Sequence, residues 1–175
     1  MVRPMRSAPA LLLALLAAAC APAPRPAPPP PPARVVASPP PPAPIAPDWR
    51  DWPVTPGTWR YARDERGSVA MFGRVAADAL AVLRCDRAGG RVFLSVPGAT
   101  PASLTVRTSS VARTLPLGAT GGTPAYLAAT LTPADPLLDA MAFSRGRFAL
   151  SMAGAPPLVL PAWAEVSRVV EDCRP

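Results

Sequence analysis

Leu80–Val96 reads LAVLRCDRAGGRVFLSV. Two apolar runs of period two flank a polar, glycine-containing break. In an extended chain Val92, Leu94 and Val96 fall on one side, and so do Leu83 and Cys85 in the preceding run. The DRAGG segment supplies two glycines for positions of positive φ. This pattern predicts an antiparallel hairpin with one face on a core, and it sets the class of the domain as β.

The same period extends in both directions. Thr58–Arg63 alternates, DERG at 64–67 reads as a turn, and Ser68–Phe72 as the returning strand. Ser103–Ser109 is a further strand, with Leu104 and Val106 inward. ARTLPL is expected to be a short edge strand, because Pro116 has no N–H for a second ladder. Ala125–Leu131, Arg147–Met152 and LVLP at 158–161 complete the set.

The period changes twice. TPADPLLDAMAF predicts a short helix with Thr132 as N-cap and Pro133 at its first position. AWAEVSRVVEDC predicts a C-terminal helix with Trp163, Val166, Val169, Val170 and Cys173 on one apolar stripe. The expected fold is mainly β with two short helices: a β-sandwich or barrel-like antiparallel sheet with the C-terminal helix packed on it. Trp49, Trp52 and Trp59 read either as a plug at one end of the sheet or as an aromatic binding platform.

This domain covers residues 48–175. Residues 1–47 contain 16 of the 28 prolines and no acidic residue, a composition that supports neither helix nor ladder. Arg3 and Arg6 followed by the apolar Leu11–Ala19 have the pattern of a signal peptide over residues 1–19. That run is shorter than the roughly 20 apolar residues of a membrane span. Residues 21–47 read as a disordered Pro/Ala-rich tether of polyproline II character. At about 3.1 Å per residue it reaches up to ~80 Å.

The segment around Cys20 resembles a bacterial lipoprotein signal, in which small residues precede the cysteine that becomes the lipidated N-terminus. Ala17 departs from the larger aliphatic residue usual there. The resemblance implies lipidation of Cys20, a membrane partner through that lipid, and a place in the cell envelope. Ala21, where an aspartate would favour the inner membrane, points to the outer membrane facing the periplasm. With Cys20 acylated, Cys85 and Cys173 remain, an even count in an oxidising compartment. Both belong to apolar faces directed at one core, so a Cys85–Cys173 disulfide is expected; two buried thiols are the alternative.

The chain has no histidine, lysine, asparagine or glutamine. That removes the Ser-His-Asp triad, the Cys-His dyad, imidazole metal ligands and the lysine Schiff base. Asp135 and Asp139, one helical turn apart, read as a cap and a solvated face. No cofactor, metal site or catalytic residue is expected, and the chain reads as a non-enzyme. The net charge of +7 is not concentrated on the domain: residues 1–47 hold four arginines, and residues 48–175 hold 14 arginines among 11 acids. Nucleic acid is therefore not an expected partner. Arg84, Arg87 and Arg91 flank the first hairpin loop, and Arg145 and Arg147 lie two apart in SRGRF. Either group suits an anionic glycan or a lipid headgroup, or else is a solvated face.

The C-terminal third, DPLLDAMAFSRGRFALSM…LVLPAWAEVSRVVEDCR, resembles an uncharacterised family of short alphaproteobacterial envelope lipoproteins. More distantly, its order of helix, strand, strand and cysteine-ended helix is similar to the invasion-associated locus B family, whose additional cysteines this chain lacks. That family usually carries no assigned function; from its own anchor, tether and β-rich domain the chain is expected to be a membrane-anchored periplasmic protein presenting a binding or structural domain to an envelope protein or an anionic glycan or lipid. An inhibitor of a cell-wall hydrolase is the second expectation.

Overall fold

The computed structural model describes residues 48–175, which belong to one compact unit. The expected signal peptide, Cys20 and the tether lie outside the described residues. Nine strands run β1 (Thr58–Asp64), β2 (Gly67–Gly73), β3 (Ala81–Asp86), β4 (Arg91–Pro97), β5 (Ala102–Arg107), β6 (Ala112–Ala119), β7 (Tyr126–Leu131), β8 (Arg147–Met152) and β9 (Leu158–Pro161). Helix α1 (Pro136–Ala142) follows β7, and α2 (Ala164–Cys173) ends the domain. Among the described residues no helix is long and apolar enough to cross a membrane.

The strands form one antiparallel sheet in the order β1-β2-β3-β4-β7-β6-β5-β8-β9. The hairpin that opened the sequence reading is β3–β4, with Leu83 opposite Leu94 and Cys85 opposite Val92. All four are buried, and the intervening residues face outward, as a half-buried strand requires.

Strand β6 joins two halves of the sheet. Residues 112–117 pair with β5, and only Gly118 and Ala119 reach β7. Pro116 therefore lies inside the strand order, against the expectation of an edge. It is tolerated because the chain beside it is paired on one side only, so its missing N–H breaks no second ladder. The two outermost strands meet through the segment before β1. The Thr55 N–H donates to the Val159 carbonyl at 2.9 Å, and the Val159 N–H donates to the Thr55 hydroxyl at 2.9 Å. The sheet is thus barrel-like, and its inward residues join those of both helices in one core.

Three expectations shift. Helix α1 starts at Pro136 with Asp135 as N-cap, its side chain accepting from the Leu137 N–H at 2.9 Å. A helix beginning at Pro133 would hold Pro136 in its interior, where its ring clashes with the preceding turn. Trp163 sits before α2 and is 45% exposed, not on the buried stripe of Val166, Val169, Val170 and Cys173. Of the three N-terminal tryptophans only Trp59 is buried, at 5% exposure; it contacts Phe72 edge-on at 5.3 Å and stacks on Phe148 at 6.5 Å.

Helix α2 packs chiefly on β2 and β3 and against α1. Cys173 at its end is bonded to Cys85 on β3, with Cα atoms 5.3 Å apart. The staple joins the two apolar faces identified in the sequence. Both helices thereby cover one end of the barrel, where β3 and β7 finish and β4 and β8 begin.

Candidate anion-binding site

The two arginine groups have different fates. On the outer face of β3, Arg84 donates to both carboxylate oxygens of Asp64, at 3.0 and 2.8 Å. The Arg84 guanidinium holds the Asp64 carboxyl below its ordinary pKa. Arg66 reaches Asp86 at 3.4 Å. Asp86 is lowered first by the Gly89 N–H and then by Arg66. Arg66 and Arg84 stand at one end of a groove of about 620 Å³ floored by Val82, Phe93 and Ser95. Arg87 lies in the β3–β4 turn and lines a separate pocket of about 140 Å³ with Arg63, Asp64 and Asp172. Arg91 opens β4 and lines neither. Arg84, Arg87 and Arg91 are therefore dispersed over the surface, and acids stand among them.

Arg145 and Arg147 come together with residues that nothing in the sequence linked to them. The turn before β8 is built by Ser144 and Gly146. Ser144 is buried; its hydroxyl donates to the Arg147 carbonyl and accepts from the Ser109 N–H at 2.9 Å. The Ser109 hydroxyl in turn accepts from the Arg145 N–H at 3.1 Å. These reciprocal bonds lock the β5–β6 turn to the β8 entrance. Gly146 has φ +76°, a left-handed conformation that a side chain disfavours.

Arg147 then fastens the domain's first residues. Its guanidinium donates to the carbonyls of Arg50 and Trp52, at 3.4 and 3.3 Å. Arg50 belongs to a short 3-10 helix, Trp49–Asp51, and Trp52 is its C-cap; the Asp48 carboxylate caps the other end by accepting from the Arg50 N–H at 2.9 Å. The Arg50 guanidinium lies 5.2 Å from the Trp49 ring centre, a cation–π arrangement.

Trp49, Arg50, Ser109, Arg145 and Arg147 enclose a pocket of about 280 Å³ that no acidic residue lines. Arg50 pairs with Asp48 at 3.3 Å, where both groups are well exposed. Such an exposed pair is weak, of order 0–1 kcal/mol, and yields readily to a competing anion. Arg145 is exposed, and its guanidinium has no acidic partner among the described residues. The Ser109 hydroxyl keeps its proton to donate. Planar guanidinium forks beside a hydroxyl donor match a phosphate or carboxylate group.

Sequence reasoning found Arg145 and Arg147, and Trp49 only as one of three tryptophans of a candidate aromatic platform, but not Arg50 or Ser109. Arg50 and Arg147 are separated by 97 positions, and no local period reports such a meeting. Asp135 and Asp139 face different partners: Arg113 bonds Asp135 at 2.9 and 2.8 Å, and Arg174 bonds Asp139 at 2.9 Å to each oxygen. Among the described residues no three His, Cys, Asp or Glu side chains gather as a ligand set. No family model matches this chain, and no curated protein or solved structure matches it significantly.

Proposed function

We propose that this chain is a lipid-anchored, non-catalytic binding protein of the cell envelope whose domain grips an anionic group of an envelope glycan. Cys20 carries the lipid, residues 21–47 hold the domain off the membrane, and Arg50, Ser109, Arg145 and Arg147 form the recognition site. The observation that carries this reading is the convergence of three arginines and a hydroxyl on a pocket without an acid in its lining. The aromatic face of Trp49 beside that pocket suits a sugar ring next to the charged group. The stand-off given by the tether favours a glycan over a headgroup of the anchoring leaflet.

The test is binding of the mature protein to an acidic polysaccharide, to the same backbone without its acid groups, and to phosphatidylglycerol vesicles. The proposal expects retention on the acidic polysaccharide alone, weakened at least tenfold by Arg145→Ala, with the melting temperature unchanged. Equal binding of the neutral backbone, an Arg145→Ala protein that binds as well as the parent, or preference for the vesicles overturns it. In cells, Cys20→Ser should release the protein from the membrane fraction; unaltered membrane association removes the anchor from the proposal.

A further inference from the structure

The barrel end opposite the helices differs in chemistry from the rest of the molecule. The connections gathered there are residues 74–80, 98–101, 120–125 and 153–157. The last three carry no charged side chain, and the first only Arg74 and Asp78. They are composed largely of Pro, Gly, Ala and Thr. Val75 among them is 80% exposed. Behind them lies a pocket of about 340 Å³ lined wholly by apolar residues. Val96, Leu104 and Leu150, all buried in the core, form its floor, and Leu80, Met152 and Leu158 stand at its rim.

We infer that this mouth is a binding site for a single hydrocarbon chain, such as the acyl chain of a lipid or fatty acid. β-Barrel mouths are a common place for apolar ligands. A water in this pocket finds none of the several side-chain hydrogen-bond partners that hold buried water. Transfer of a hydrocarbon into it removes apolar surface of both partners from water. The lack of charge on the lining and on three of the four surrounding connections decides the ligand's chemistry: nothing in the lining compensates a buried charge, so the inserted part is uncharged. The volume lies at the lower end of the ~300–1,000 Å³ usual for ligand pockets, which fits one chain and not a whole multi-chain lipid.

The site is independent of the arginine pocket. Arg147 begins β8 and Met152 ends it, roughly 17 Å along the strand at 3.3 Å per residue. Either site can fail without the other.

The experiment is calorimetric titration of the mature protein with dodecanol, dodecanoate and butanol at several temperatures. Dodecanol and dodecanoate are expected to bind at one site with a negative heat-capacity change, and butanol at least a hundredfold more weakly. Ala155→Trp, which fills the mouth from an exposed position, should weaken dodecanol at least tenfold. Leu158→Arg, which sets a charge on the rim, should do the same and serves if the first variant does not fold. Absence of dodecanol binding, or binding that a folded variant leaves unchanged, overturns the inference.

Discussion

The indole N–H of Trp59 on β1 donates to the carbonyl of Pro161 on β9, 2.8 Å away and 102 positions along the chain. The bond links the first and last strands of the sheet order and is buried. Trp59→Phe keeps most of the ring contact with Phe72 and Phe148 but leaves the Pro161 carbonyl without its donor. An unsatisfied buried acceptor costs about 1–3 kcal/mol. A drop of several degrees in melting temperature is expected, and Trp59→Ala should cost more, about 3–5 kcal/mol, by opening a cavity. A Trp59→Phe protein that melts with the parent refutes the role given to this bond.

Reduction of Cys85–Cys173 should loosen the α2 end first. The bridge joins residues 88 positions apart, and in the chain-entropy model such a loop contributes up to roughly 4–5 kcal/mol. That is a large part of the roughly 5–15 kcal/mol typical of a domain. Melting with and without a reductant, followed by the helical signal, checks this. Unchanged melting of the Cys85→Ala/Cys173→Ala protein contradicts it.

Acid should destabilise the domain through Asp135 and Asp172. Hydrogen bonding by the Arg113 guanidinium is the main cause that holds Asp135 below its ordinary pKa. For Asp172 burial is the largest single influence and pushes its pKa up, but the interactions with Tyr61, Ser68 and Arg63 together outweigh it and leave it lowered. Both groups bind a proton less readily folded than unfolded. Their contribution is therefore complete above the unfolded value of about 3.9 and is lost as pH falls through the folded values. Melting temperature should hold level between about pH 7 and 5 and fall below about pH 4. Asp135→Asn, which retains a capping side chain, should melt lower at pH 7 and respond less to acid. An acid response identical to the parent's excludes Asp135 as a source.

Gly67 closes the β1–β2 turn with φ +142°, and a Cβ there would stand 2.7 Å from the Cys85 carbonyl oxygen. Gly67→Ala meets both backbone strain and a backbone clash, and is expected to cost about 1–3 kcal/mol. Gly118→Ala is the control: nothing lies within 4 Å of its Cβ position. Its effect should remain within about 0.5 kcal/mol, as for ordinary surface positions. Chemical denaturation of the two variants separates them, and equal midpoints defeat the argument.

What the sequence by itself determined about this protein was local and periodic. The alternation in Leu80–Val96 specified which side of β3 and β4 is buried, and so aimed Cys85 inward; the stripe Val166, Val169, Val170 and Cys173 did the same for α2. Two cysteines on apolar faces then pointed to one bridge. Tertiary structure alone decided the rest. β6 passes from β5 to β7 and so carries Pro116 inside the sheet. Trp59 meets Pro161, while Trp49 and Trp52, alike in sequence, remain half-exposed. Arg50 arrives beside Arg145, whereas Arg84 is taken by Asp64. Side-chain period reports only which face of an element is apolar, because it arises from backbone geometry within that element. Which faces meet depends on how all strands bury their apolar surface together, and charged side chains then pair with whatever that packing sets beside them.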